Sequence, residues 1–282
     1  MMNIIVGKRS RARGYPATAM LLAVIPLLLL GASEVRIRPT GTFSDMKSVS
    51  DGPKGIRGME VRIVYPGVDS NYDAVVQIAE GTPDLLVVVP VAPSFLDPSQ
   101  DASIVRFENP KESERAFSFR GRVTKVGLEG EFTLGKEGIS RKVILPRGKS
   151  YWDSGGVSGS GLKHTGTFSD MRFIEDAGDV LGTEVRIVKT AEGYQGMVQF
   201  AEGHPDPLSL AVVSFGNEDA VSMRFQDSDK AHRKSYFPTS FEGHITKTGL
   251  EGVFRFGGDV SKYEAVNWDW EVKLPRRKSY WD

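Results

Sequence analysis

Whether this chain can do chemistry depends first on its cysteines, histidines and carboxylates. It has no cysteine and four histidines in 282 residues, which excludes thiolate nucleophiles, disulfides and thiolate-bound metals. The chain is internally repeated, as set out below, and no histidine of one copy meets a histidine in the other. His204 matches Thr82, His244 matches Arg122, His164 lies between the copies, and His232 has no histidine counterpart. A histidine metal site shared by both copies is therefore excluded, leaving only a site private to the second. No phosphate-binding loop, Gly-x-Ser-x-Gly elbow or dinucleotide fingerprint is present, so neither a cofactor nor nucleophilic catalysis is expected.

Carboxylates that recur in both copies remain: Asp45/Asp170, Glu80/Glu202, Glu129/Glu251 and Asp153/Asp282. A two-carboxylate hydrolase would need a pair of them about 5–10 Å apart across a cleft. Glu80 and Glu202 precede a Gly-x-Pro turn, where a carboxylate shapes the loop. Glu129 and Glu251 fall on the polar face of a strand. Asp45 and Asp170 sit beside Ser44 and Ser169 in a first strand, where a buried hydrogen-bonding role is expected. The chain therefore reads as non-enzymatic, with a carboxylate-dependent hydrolase as the residual alternative.

The most specific block is Lys149-Ser-Tyr-Trp-Asp153, which ends the first copy and returns as Lys278-Ser-Tyr-Trp-Asp282 at the end of the second. Two readings compete. In one, Tyr and Trp plug a barrel end, while Lys and Asp form rim pairs with Arg147/Arg276 or Arg106/Arg224. In the other, Lys149, Tyr151, Trp152, Lys278, Tyr280 and Trp281, with Tyr72 and Tyr194, form an aromatic and cationic mouth for a small apolar or amphipathic ligand. Glu60-x-Arg62, Glu184-x-Arg186 and Arg106/Arg224 read as cross-strand charge ladders.

These residues need a scaffold, and the repeat supplies it. Thr40-Gly-Thr-Phe-Ser-Asp-Met46 recurs letter for letter as Thr165 to Met171, and Glu60-Val-Arg-Ile-Val64 recurs as Glu184 to Val188. Ala79-Glu-Gly81/Ala201-Glu-Gly203 and Gly127-Leu-Glu-Gly130/Gly249-Leu-Glu-Gly252 follow in the same order. The organisation read from this is an N-terminal segment 1–33, a first repeat 34–153, a Gly/Ser-rich linker 154–164 and a second repeat 165–282. Each repeat has about 115 residues, enough for an independent core.

Within each copy the apolar period is two. Tyr194, Gly196, Val198 and Phe200 share one face, as do Tyr72, Ala74, Val76 and Ile78, which is the pattern of a half-buried strand. About eight strands per copy are expected, beginning near Gly41, Glu60, Tyr72, Leu85, Ile104, Phe117, Leu128 and Lys142. The clearest hairpin sets Val123 opposite Leu128, Gly121 opposite Gly130 and Phe119 opposite Phe132, and the second copy sets Gly243 opposite Gly252 in the same register. Facing glycines leave a dent in a sheet, and Trp152/Trp281 are the expected cover. Trp268 and Trp270, private to copy two, read as aromatics of a loop before its last strand.

The fold class expected is all-β: two tandem antiparallel up-and-down barrels after a signal segment. Eight antiparallel strands that open on a Gly-x-aromatic motif, Gly41-Thr-Phe43, and close on a basic and aromatic strand resemble the layout of calycins. Gly41-Thr-Phe43 carries no tryptophan, unlike the lipocalin opening motif, and the resemblance is one of layout alone.

Residues 1–33 hold Lys8, Arg9, Arg11 and Arg13, no acidic residue, the apolar run Ala17–Leu30, and then Gly31, Ala32 and Ser33. This is the order of a secretory signal, and the run is shorter than a membrane span. Cleavage near Ser33 is expected, with a retained anchor as the alternative and the only membrane contact foreseen. The whole chain balances 36 Lys+Arg against 36 Asp+Glu, so without the leader it is mildly acidic and lacks the basic excess that nucleic acid demands. A periplasmic or secreted location follows, since absent cysteine and absent sequons fit a bacterial envelope. The function expected is binding of a small apolar or amphipathic ligand. The runner-up is a structural or interaction module with side-chain-filled barrels. The two repeats are also candidates to pack on each other.

Overall fold

The structure is a computed structural model and describes residues 39–49, 55–67, 72–92, 104–109, 116–153, 163–225, 238–257 and 268–282. The leader and the Gly/Ser run 154–162 lie outside the described residues.

The fold is all-β, in two antiparallel sheets, each confined to one repeat. The first repeat contributes β1 (Gly41–Ser44), β2 (Lys47–Ser48), β3 (Ile56–Val64), β4 (Tyr72–Gly81), β5 (Val87–Val91), β6 (Ile104–Asn109), β7 (Phe117–Val123), β8 (Gly127–Leu134) and β9 (Ile139–Pro146). The second contributes β10 (Gly166–Ser169), β11 (Arg172–Ile174), β12 (Asp179–Thr190), β13 (Gly193–Pro205), β14 (Ser209–Phe215), β15 (Ala220–Phe225), β16 (Pro238–Ile245), β17 (Gly249–Phe256) and β18 (Trp268–Pro275). Each main strand pairs with its sequence neighbour, and the short β2 and β11 pair with β3 and β12. The strand starts read from period two agree with these elements to within a few residues. The two glycine-paired hairpins have the expected register.

Each meander nearly closes into a barrel. First and last strands meet through a single bridge, Phe43 to Arg147 in one repeat and Phe168 to Arg276 in the other. The closing residue is the arginine. Its guanidinium carbon lies 4.7 Å from the Phe43 ring centre in barrel one and 4.5 Å from Phe168 in barrel two. Its Nη1 donates to the Thr40 or Thr165 carbonyl at 2.6 Å. Gly41 and Gly166, at φ +132° and +128°, leave room for it, since a Cβ on either would lie 2.7 Å from the guanidinium. The repeated Thr-Gly-Thr-Phe motif is thus the seat of an arginine latch, in which Arg147 and Arg276 stack on phenylalanine and also feel the carboxylates of Asp282 and Asp153 from the opposite repeat.

Inward-facing residues fill each barrel. Phe43, Val61, Ile63, Val76, Val105, Phe107, Phe119, Leu128, Phe132 and Leu145 are all essentially solvent-free in the first. The second is filled by Phe168, Val185, Ile187, Val198, Phe241, Leu250, Phe254 and Leu274.

The glycine pairs are covered from inside the same strand. A Cβ on Gly121 would lie 2.5 Å from Cζ of Phe119 and 2.7 Å from the Gly130 Cα; Gly243, with Phe241 and Gly252, has the same geometry. The expected cover by Trp152 and Trp281 is therefore corrected. Phenylalanine two residues upstream folds over the dent, because it shares that face of the strand.

Candidate functional site

β3 and β4 are buried on both faces. Their inward residues, Val61, Ile63, Ala74 and Val76, belong to the barrel core, yet outward-facing Glu60, Arg62, Val64, Val75, Gln77 and Ala79 are buried as well. What covers them is the matching outer face of β12 and β13, and the two barrels belong to one compact unit. Val75, Ala79, Leu86 and Trp152 of the first repeat cluster with Val188 and Met197 of the second.

At the centre of this face lie four charges. Arg186 donates from Nη2 to Glu60 and to Ser150, and Arg62 donates from Nη2 to Glu184 and to Ser279. Each carboxylate is further held by its own repeat. Glu60 accepts from Ser150 Oγ and from the Tyr151 amide, both at 2.9 Å. Glu184 accepts from Ser279 Oγ at 2.9 Å and from the Tyr280 amide at 2.8 Å. The side chains of all four charged residues are at most 6% exposed. Nε and Nη1 of both arginines have no acceptor among the described residues. An arrangement of this kind costs desolvation that offsets much of its Coulombic gain.

The charge-ladder expectation for Glu60-x-Arg62 and Glu184-x-Arg186 is corrected here. A ladder needs opposite charges across the sheet, but Glu60 faces Ser44 and Gln77, and Arg62 faces Thr42 and Val75. With neutral neighbours in the sheet, the charges pair outward, with the other repeat.

Around this centre the contacts are reciprocal. Trp152 Nε1 donates to Gln77 Oε1 at 2.7 Å, and Gln77 Nε2 reaches the Lys189 carbonyl of the other repeat at 3.0 Å. In the mirror arrangement Trp281 Nε1 donates to Gln199 Oε1 at 2.8 Å, and Gln199 Nε2 reaches the Tyr65 carbonyl at 3.4 Å. The final aspartates cross over. Asp153 accepts from the Thr167 amide at 2.8 Å, and Asp282 accepts from the Thr42 amide at 2.9 Å. The Lys-Ser-Tyr-Trp-Asp block is therefore the clasp between the barrels, which explains why it ends both copies.

The eight ligand-site candidates are not gathered at one mouth. Trp152 is buried between the repeats with Tyr151 packed beside it, Tyr280 and Trp281 hold the mirror positions, and Lys149 and Lys278 are exposed. Tyr72 packs against the first barrel core and Tyr194 against the second. None of the eight lines the cavity described next.

That cavity, about 220 Å³, opens in barrel one and is lined by Val76, Ile78, Asp84, Leu85, Val87, Ala116, Phe117, Leu134 and Gly135. The matching end of barrel two holds larger residues, with Phe200 for Ile78 and Phe256 for Leu134. Trp268 stacks on Phe256 at 4.3 Å, and Trp270 lies 5.9 Å from Phe200. Trp268 and Trp270 are thus in β18 itself, packing against the core, and not in a loop.

Two further recurring carboxylates serve the backbone. Asp45 and Asp170 accept from the Met59 and Thr183 amides, each at 2.6 Å, at the break between first and second strands. Glu129 pairs with exposed Arg122 at 3.3 Å, and Glu251 with Lys273 at 3.8 Å. Among the described residues, no group of three or more His, Asp or Glu side chains could hold a metal ion. His164 stacks on Phe215 at 4.2 Å, with Nε2 3.1 Å from Asp219.

No family model matches the chain, and neither a curated protein nor a solved structure matches it.

Proposed function

We propose that this is an exported, non-catalytic module of the cell envelope that acts as a rigid structural or interaction unit, built from two side-chain-filled barrels clasped face to face. The observation that carries this reading is the filling of the interiors. The cavity described in barrel one is about 220 Å³, below the roughly 300 Å³ at which small-molecule sites begin. Of the carboxylates that could have served a hydrolase, Asp45, Asp170, Asp153 and Asp282 are engaged with backbone amides and Glu129 and Glu251 with cations, which also supports a non-catalytic role.

A second reading rests on the same cavity. Its apolar lining by Val76, Ile78, Leu85, Val87, Phe117 and Leu134 suits a very small apolar guest, and this keeps the ligand-binding function as the alternative. Native mass spectrometry of the mature protein, purified from its own host, separates the two. The structural reading expects the polypeptide mass alone; a stoichiometric small molecule lost under mild activation would replace it with the ligand reading. The same spectrum reads the N-terminus, where export with cleavage expects a chain beginning near Glu34.

A further inference from the structure

We infer that the clasp surface of each repeat is self-complementary, so that a repeat accepts a second copy of itself from another chain as readily as it accepts its partner in the same chain. The inference goes beyond the envelope-module reading and does not depend on what fills the barrels. It stands on the reciprocity of the contacts. Glu60 meets Arg186 while Arg62 meets Glu184. Gln77 reaches Lys189 while Gln199 reaches Tyr65. Asp153 holds Thr167 while Asp282 holds Thr42. In each case residue i of one repeat touches j of the other, and j of the first touches i of the second, which is the signature of an isologous two-fold interface.

Substituting the first repeat for the second leaves every partner in place. Glu60 would meet the Arg62 of the second chain, Gln77 its Tyr65 carbonyl, and Asp153 its Thr42 amide. A hydrogen-bonding position that differs remains chemically compatible. Gln195 accepts the Leu86 amide at 2.7 Å; Asp73 takes its place in the first repeat, and a carboxylate also accepts an N–H. The partner this surface fits is therefore a second copy of the same chain, with first repeat on first repeat and second on second.

Exchanging the charges of one repeat tests this in the full chain. The double variant Glu60→Arg, Arg62→Glu sets like charges against Arg186 and Glu184 within the chain. Between two variant chains, first repeat on first repeat, the exchanged charges are complementary again, and second repeat on second is unaltered. Self-complementarity expects a shift from monomer to a particle of at least twice the mass, read by light scattering on a sizing column. It also expects the fourfold variant, with Glu184→Arg and Arg186→Glu added, to return to the monomer mass. A double variant that stays monomeric, or that is unfolded or aggregated by circular dichroism and scattering while the fourfold variant is a folded monomer, would overturn the inference. In that event the surfaces would match only as first against second. A fourfold variant that does not fold would overturn it as well, because complementarity of the four charges would not then be what joins the barrels.

Discussion

The clasp face and the far end of the barrels have diverged to very different degrees between the two copies. On the clasp, Glu-Val-Arg-Ile-Val, the glutamines Gln77 and Gln199, and Lys-Ser-Tyr-Trp-Asp are the same in both repeats. At the barrel end Ile78 in one copy is Phe200 in the other, Leu134 is Phe256, and the strand position that is Ile139 in one copy, 68% exposed, is Trp268 in the other. Each clasp residue is constrained twice, by its own barrel and by its mirror partner, whereas a residue at the barrel end answers only to its local packing. Volume can drift there as long as the interior stays closed.

The comparison predicts its largest effect at the clasp centre. Glu60→Ala leaves Arg186 buried without its carboxylate and frees Ser150 and the Tyr151 amide, so it should cost about 3–5 kcal/mol. Urea denaturation of the full chain would measure it. Arg122→Ala, which breaks the exposed pair with Glu129, should cost less than about 1 kcal/mol. Equal costs would mean that the clasp charges are not buried in solution.

A smaller effect comes from a clasp position where the copies differ in charge. Asp73 lies on the outer face of β4, where the second repeat has Gln195, and burial pushes its carboxyl up to about 6 from 3.8. A raised acid pKa means that between about pH 4 and 6 the folded protein holds a proton that the unfolded chain has released. Stability therefore falls as pH rises through this window and levels off above it. Asp73→Asn should remove that slope and leave the protein more stable at pH 7 by roughly 2 kcal/mol. Denaturant midpoints at pH 4, 5, 6 and 7 for both proteins check this, and parallel curves would refute it.

The barrels themselves were legible because two signals agreed. Seven identical letters mark the repeat, and period two marks the strands together with their inner faces. The clasp was legible only in part. Val64, Val75 and Ala79 fall on what should have been a solvated face, and the strictly repeated Trp152 and Trp281 were assigned to the glycine dents. A period-two pattern tells which residues share a face but does not say what covers the second one. The neutral cross-strand neighbours of Glu60 and Arg62 depend on the register of β3 against β1 and β4, which the letters alone did not fix. Trp268 and Trp270 were misplaced for a different reason: the strand they begin matches the first copy only towards its end, at Val272, Leu274 and Pro275, so the repeat gave no guide to where β18 starts.

The smallest prediction asks whether the two barrel ends differ as described. Phe256 stacks on Trp268 and packs against Phe200 at 5.3 Å, so Phe256→Leu removes volume from a filled site and should cost about 1–3 kcal/mol. Leu134 stands at the same position beside the cavity of about 220 Å³. Leu134→Phe can place its added atoms in that space and should lie within about 1 kcal/mol of wild type. The pair is informative because the two substitutions are each other's reverse at one position of one design. If overpacking made Leu134→Phe as costly as Phe256→Leu, the cavity would not be usable space, and the small-guest alternative would fall with it. If Leu134→Phe is tolerated, the same variant closes the described cavity to such a guest. Its retention of a co-purifying molecule would then place the guest elsewhere in the protein.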